Sequence, residues 1–166
     1  MIPADCKPYL ERIRRQCGYL FDEYGFEAVY GHIYSGPRPP YGKIVLESKD
    51  CRVRFEWEEG LPGVEFGTHR ADYEGSSYGA GKQWFSLSNI ARFLRRETVN
   101  LAEQDAVLAP LDTFDARLEY WCDQLRPICG RVVEMFREQN FEAWQEDFRQ
   151  YERWVGDEIM RQVKKG

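Results

Sequence analysis

An α+β fold is predicted, and three observations carry it. Apolar residues recur at helical spacing at both ends of the chain, alternate strictly with charged residues in between, and the alternating runs are joined by short Gly- and Pro-containing turns. Short turns between strands imply an antiparallel meander, because parallel strands need long crossovers. The expected order is an N-terminal helix, a four-stranded antiparallel meander, then a helix and a long C-terminal antiparallel helical hairpin. A chain of 166 residues suits one domain or a domain with an appendage, read here as a sheet domain over 1–98 and a helical hairpin over 99–166.

Asp5 is a fitting N-cap with Pro8 in the first turn, and Leu10, Ile13, Cys17, Leu20 and Tyr24 follow at spacings of 3, 4, 3 and 4, up to a stop at Gly25. Phe26 to Tyr34 is aromatic and β-branched and reads as a strand, broken by Gly36-Pro37-Arg38-Pro39-Pro40. Lys43 to Ser48 starts a second strand. In the third, Cys51, Val53, Phe55 and Trp57 alternate with Arg52, Arg54 and Glu56, so one face is apolar and the other charged. Glu59 to Gly63 turns the chain into a short fourth strand at Val64 and Phe66. Residues 68–82 have no apolar period and hold Gly75, Gly79 and Gly81, which predicts a mobile loop, open to trypsin near Arg70 or Lys82.

Ser86 caps a helix with Leu87, Ile90, Ala91 and Leu94 inward, and 100–110 reads as a looser stretch. From Leu111 to Met135 the apolar positions keep an unbroken 3-4 spacing, with Pro127 expected to kink the helix. Asn140 caps a last helix whose stripe is Phe141, Trp144, Phe148, Tyr151, Val155 and Ile159. Each arm of about 25 residues would be roughly 38 Å long, against ~30 Å for a small domain, so one end is expected to project. Such a hairpin would serve a homodimer or dock a partner.

Composition narrows the function. Lys and Arg total 23 against 28 Asp and Glu, a net charge of -5, and the segments before and after Trp84 carry -2 and -3. With no clustered basic surface, nucleic-acid binding by phosphate neutralisation is not expected. Neither is membrane insertion, since no apolar run approaches ~18 residues. The opening residues lack a basic and apolar leader pattern, so a cytoplasmic location is expected, with Cys6, Cys17, Cys51, Cys122 and Cys129 as reduced thiols. Cys122 and Cys129 stand roughly 10 Å apart along a helix, too far for a disulfide.

Catalytic motifs do not assemble. A phosphate loop ending at Gly81-Lys82 would need Gly where Ser76 stands and Ser or Thr where Gln83 stands. His32 and His69 have no ligand at metal spacing, and neither a metal nor a cofactor is expected. Glu56, Glu58, Glu59, Glu65, Asp72 and Glu74 supply carboxylates, of which Glu56 and Glu58 are explained by pairing with Arg52 and Arg54. Pro37 to Pro40 has the composition of a polyproline ligand, read as a stiff loop.

The segments Ile44-Val45-Leu46-Glu47-Ser48, Arg52-Val53-Arg54-Phe55 and Trp84-Phe85-Ser86-Leu87, with the helix ending Asp22-Glu23-Tyr24-Gly25-Phe26, resemble small uncharacterised bacterial α+β proteins of unknown function. The likeness covers residues 10–95 and implies the same order of helix, meander and helices. Size and acidic make-up are also similar to toxin-neutralising immunity proteins. The expected function is therefore a non-enzymatic interaction module, most concretely an immunity-type inhibitor, contacting its partner through Arg52, Arg54, Glu56, Glu58 and Trp154. The alternative is a small-ligand binder or enzyme using the sheet face at Tyr30, His32 and Tyr34, with loop 68–82 as a lid.

Overall fold

Among the described residues, five antiparallel strands follow one another across a single sheet in chain order. They are β1 (Glu27–Tyr34), β2 (Tyr41–Glu47), β3 (Arg52–Glu58), β4 (Leu61–Gly67) and β5 (Phe85–Ser86). The computed structural model describes residues 1–37 and 40–166; Arg38 and Pro39 of the Pro-rich turn lie outside the described residues. The fifth strand is an addition to the expected four. It is two residues long, pairing Phe85 with Phe66 and Ser86 with Glu65, too short to show a period of its own.

Alternation sorts the sheet into two faces. Ile44, Phe55 and Val64 form one cross-strand row and Leu46, Val53 and Phe66 the next, all buried on the helical side. Trp57 belongs to the same face and stacks on Tyr9, their ring centroids 4.4 Å apart. The tight β3–β4 hairpin places Glu59 and Gly60 at φ of 53° and 76°, the left-handed pair that a two-residue turn requires.

The helices are α1 (Lys7–Gln16), α2 (Gly18–Asp22), α3 (Leu87–Arg95), α4 (Leu101–Leu108), α5 (Phe114–Leu125), α6 (Cys129–Phe136) and α7 (Glu138–Lys165). The continuous helix expected up to Tyr24 breaks at Cys17, whose backbone leaves the helical region at φ −115°, ψ 38°. Ser86 caps α3 by accepting from the Asn89 amide at 3.3 Å. The stretch read as loose contains α4, capped by Asn100 but burying none of its side chains.

The expected hairpin is reshaped. Pro127 replaces a kink with a full break: α5 ends at Leu125, one 3₁₀ turn spans Arg126–Ile128, and α6 follows. The chain reverses at Arg137, not Asn140, because Arg137 is extended (ψ 136°). Consequently α5 packs on β4 and α1, while α7 packs on α6 and α3. One end of the hairpin is expected to project, but the far end of α7 is anchored: the Gln162 side chain donates to Val99 O at 2.8 Å and accepts from the Leu101 amide at 3.0 Å.

The cysteine expectation is corrected as well. Cys17 and Cys122 form a disulfide between the α1–α2 joint and α5, with Cα atoms 5.4 Å apart, while Cys6, Cys51 and Cys129 are buried free thiols. The partners are 105 residues apart, so spacing along one helix could not reveal them. No helix is long and apolar enough to cross a membrane among the described residues.

Candidate functional site

The sheet face away from the helices carries Tyr30, His32 and Tyr34 on β1, Tyr41 and Lys43 on β2, Arg52, Arg54, Glu56 and Glu58 on β3, and Glu65 on β4. Alternation places these residues there as the sequence implies. Solvent reaches His32 and Glu58 but is largely kept from Lys43 and Arg54, because residues 68–84 fold back over part of the face. Trp84, Ala71 and Val45 make a small second core under this loop, joined by Val29, Tyr30 and Tyr73. A bulge between Ala28 and Tyr30 shifts the β1 register there.

Arg54 fastens the loop. Its guanidinium donates to Tyr73 O (3.1 Å), Gly75 O (2.9 Å) and Ser77 Oγ (2.8 Å), pairs with Glu65 at 2.6 Å, and lies 4.5 Å from the Trp84 ring. At 1% exposure it belongs to the interior, which removes it as a contact for a partner. Arg52 is engaged too, with Glu47 at 2.5 Å and Ala71 O at 2.6 Å. The loop expected to be mobile is further held by Trp84 Nε1 donating to Asp72 O (2.7 Å), by Gln83 Oε1 accepting from the Asp72 amide (2.9 Å), and by an ion pair between Lys82 and Glu152 of α7.

A second cluster sits beside Arg54. Glu74, from the loop, accepts hydrogen bonds from the Tyr30 and Tyr34 hydroxyls and pairs with Lys43 Nζ at 2.9 Å. Lys43 is only 4% exposed, and its ammonium also lies 3.9 Å from Glu56, which accepts from the Tyr41 hydroxyl. Burial works to raise the Glu74 carboxyl, but the hydrogen bonds from Tyr30, Tyr34 and Lys43 outweigh it and hold the group down at about 2. Burial, then the bond to Glu74, pushes Tyr30 up to about 12 and raises Tyr34 in the same way.

His32 stays exposed, packed edge-to-face with Tyr34 with ring centroids 4.2 Å apart. A cleft of about 230 Å³ opens elsewhere, at the β4 side of the face, where Glu56, Glu58 and Glu65 meet Tyr78 and Trp121. Glu58 is exposed there. No group of three or more metal-ligating side chains is assembled among the described residues. Sequence reading missed Lys43 and Tyr41. Their signal was a polar i, i+2 pair on the same face as Arg54, masked by the apolar residues around it.

Trp154 lies far from the sheet face in sequence and element, on α7, where it is 39% exposed and tilted against Tyr151 with centroids 5.7 Å apart. Trp144 is its counterpart near the start of α7, 37% exposed, with its edge toward Phe93. Each borders a groove: about 380 Å³ between Arg96, Asp147, Tyr151 and Trp154, and about 500 Å³ between Leu94, Met135, Asn140 and Trp144. The start of α7 is also acidic, since residues 138–147 hold Glu138, Glu142, Glu146 and Asp147 and no Lys or Arg.

No protein-family model, no curated protein and no solved structure matches this chain.

Proposed function

We propose that this protein is a non-enzymatic binding module, an immunity-type inhibitor in its most concrete form, that engages a basic protein through the aromatic and acidic face of α7. The observation that carries the reading is the pair of half-exposed tryptophans, Trp144 and Trp154, on a helix whose first turns carry only negative charge. Exposed Trp beside Tyr in shallow grooves is the composition of an interface centre, and flanking acidic charge speeds encounter with a basic partner such as a nuclease. The same logic moves the partner surface away from Arg52 and Arg54, whose charges are spent within the fold.

Affinity capture from native-host extract tests it with wild type, Trp144→Ala and Trp154→Ala, at about 50 and 300 mM salt. A basic protein should be retained by wild type, lost or depleted at least tenfold with either variant, and weakened by salt. Equal recovery of the same proteins by all three baits would sink the reading.

A further inference from the structure

We propose that Tyr30, Tyr34 and Lys43 form a carboxylate-recognition site, occupied by Glu74 in the free protein and open to an external carboxylate that displaces the Glu74 side chain. The proposal goes beyond the α7 interface and is independent of it.

All three donors stand on the sheet, whereas the acceptor comes from the loop. Tyr30 donates to Oε1 of Glu74, while Tyr34 (2.5 Å) and Lys43 (2.9 Å) converge on Oε2. One planar carboxylate is thus read at both oxygens, with one cation to match its single charge.

The donors do not depend on Glu74 for their positions. Tyr30 stacks on Tyr73 at 5.0 Å, and Tyr34 is packed between His32 and Tyr41 at 4.2 and 4.6 Å. Lys43 is buried near Glu56, with the Tyr34 and Tyr41 rings 5.7 and 5.8 Å from its nitrogen. The loop backbone does not depend on Glu74 either, because Arg54 binds the carbonyls on both sides of it, Tyr73 O and Gly75 O. The Glu74 side chain is 45% exposed, so a rotamer change carries its carboxylate into water while sheet and loop stay in place. What remains is a buried ammonium with two hydroxyls and no counter-ion on Oε2's position, an arrangement that favours binding of a replacement anion. Glu56, 3.9 Å from the same ammonium, disfavours a dianion and selects a monoanionic carboxylate over phosphate.

Two sources share this chemistry: a small carboxylic acid, and the free C-terminus of a peptide. The probes are sodium acetate and an N-acetylated diglycine peptide, with its C-terminus free or amidated, against sodium chloride at equal ionic strength. Chemical shifts of the Tyr30 and Tyr34 rings report occupancy. Glu74→Ala should bind acetate at least tenfold more tightly than wild type, and adding Tyr34→Phe should undo most of that gain. The free-carboxylate peptide binding tenfold better than acetate, with no response to its amide, assigns the site to chain termini; equal affinity assigns it to small acids. Glu74→Gln keeps a neutral acceptor for the donors and should give an intermediate affinity, which secures the test against loss of folding in the alanine variant. Tyr30 and Tyr34 signals that ignore acetate in folded Glu74→Ala or Glu74→Gln would overturn the proposal and leave the cluster as an anchor for the loop. Because Trp144 and Trp154 take no part, failure here leaves the α7 reading standing, and failure there leaves this one.

Discussion

Arg54 shows how far one side chain can decide a local structure. It lies on a strand face where alternation promises solvent, yet its side chain is 2% exposed, because a charge with two carboxylates and three loop acceptors around it has less need of water. Removing it leaves Glu65 and Glu56 with partly buried negative charge and strips the loop of its fasteners. Arg54→Ala should therefore cost about 3–5 kcal/mol in urea unfolding, the range for breaking a buried pair. Arg52→Ala, at a more exposed pair with Glu47, should cost nearer 1 kcal/mol. Equal effects would mean that Arg54 is not the organising charge. Glu74 adds a pH signature. Its folded carboxyl is held at about 2 against 4.5 unfolded, so its contribution is fully present above pH 4.5 and is lost as pH falls from there towards 2. Glu74→Gln should flatten the acid limb of the stability curve in that window while leaving pH 7 to 9 nearly parallel to wild type. An unchanged acid limb would show that another carboxylate governs it.

At the scale of elements, what was legible in the sequence was whatever has a period. The meander, the inward rows of Ile44, Phe55 and Val64 and the apolar stripe of α7 all follow from spacing of 2 or 3.6, and the Ser86 cap from its residue type. Elements held by single long-range contacts were not. Helix α4 buries no side chain, so it has no stripe to read; caps and the Arg117 guanidinium, donating to Leu108 O and Leu111 O at 2.9 Å each, hold it. Loop 68–84 read as mobile because glycine content is visible in sequence and its acceptors for Arg54 are not. The candidate site was half legible: Tyr30, His32 and Tyr34 follow from alternation, but Glu74 reaches Tyr30 and Tyr34 from 40 residues or more away. The observed contacts reverse the expectation about proteolysis at Lys82. Its ammonium pairs with Glu152 and both side chains are under 20% exposed, so trypsin should spare Lys82 in the native protein. In Arg54→Ala the loop loses three of its bonds, and fragment masses should then show cleavage after Lys82 before any cut in the helices. Rapid cleavage there in wild type would return the loop to the mobile class.

At the scale of the whole molecule, the Cys17–Cys122 bond joins the first helices to α5 across 105 residues of sequence, and the buried cluster runs from Cys6 to Phe148. A crosslink closing a loop of that length removes conformational freedom mainly from the unfolded chain, worth about 4–5 kcal/mol in the chain-entropy account. The remaining thiols are shielded: burial pushes Cys6 up to about 11 and Cys129 to about 12, and raises Cys51 as well, so none is an effective nucleophile near neutrality. Alkylation at pH 8 should thus label almost nothing in the folded protein and three cysteines per chain after non-reducing denaturation, rising to five only with reductant. Cys17→Ser with Cys122→Ser should lower unfolding stability by several kcal/mol and raise the slope of the denaturation curve, since the oxidised unfolded chain is the more compact one and exposes less surface. A larger slope in the double variant is the sharper signature, because it reports the loosened unfolded state and not a damaged native one. Five alkylated cysteines without reductant would mean that the pair is not bonded in solution, and the shared core would then have to hold α1 to α5 unaided.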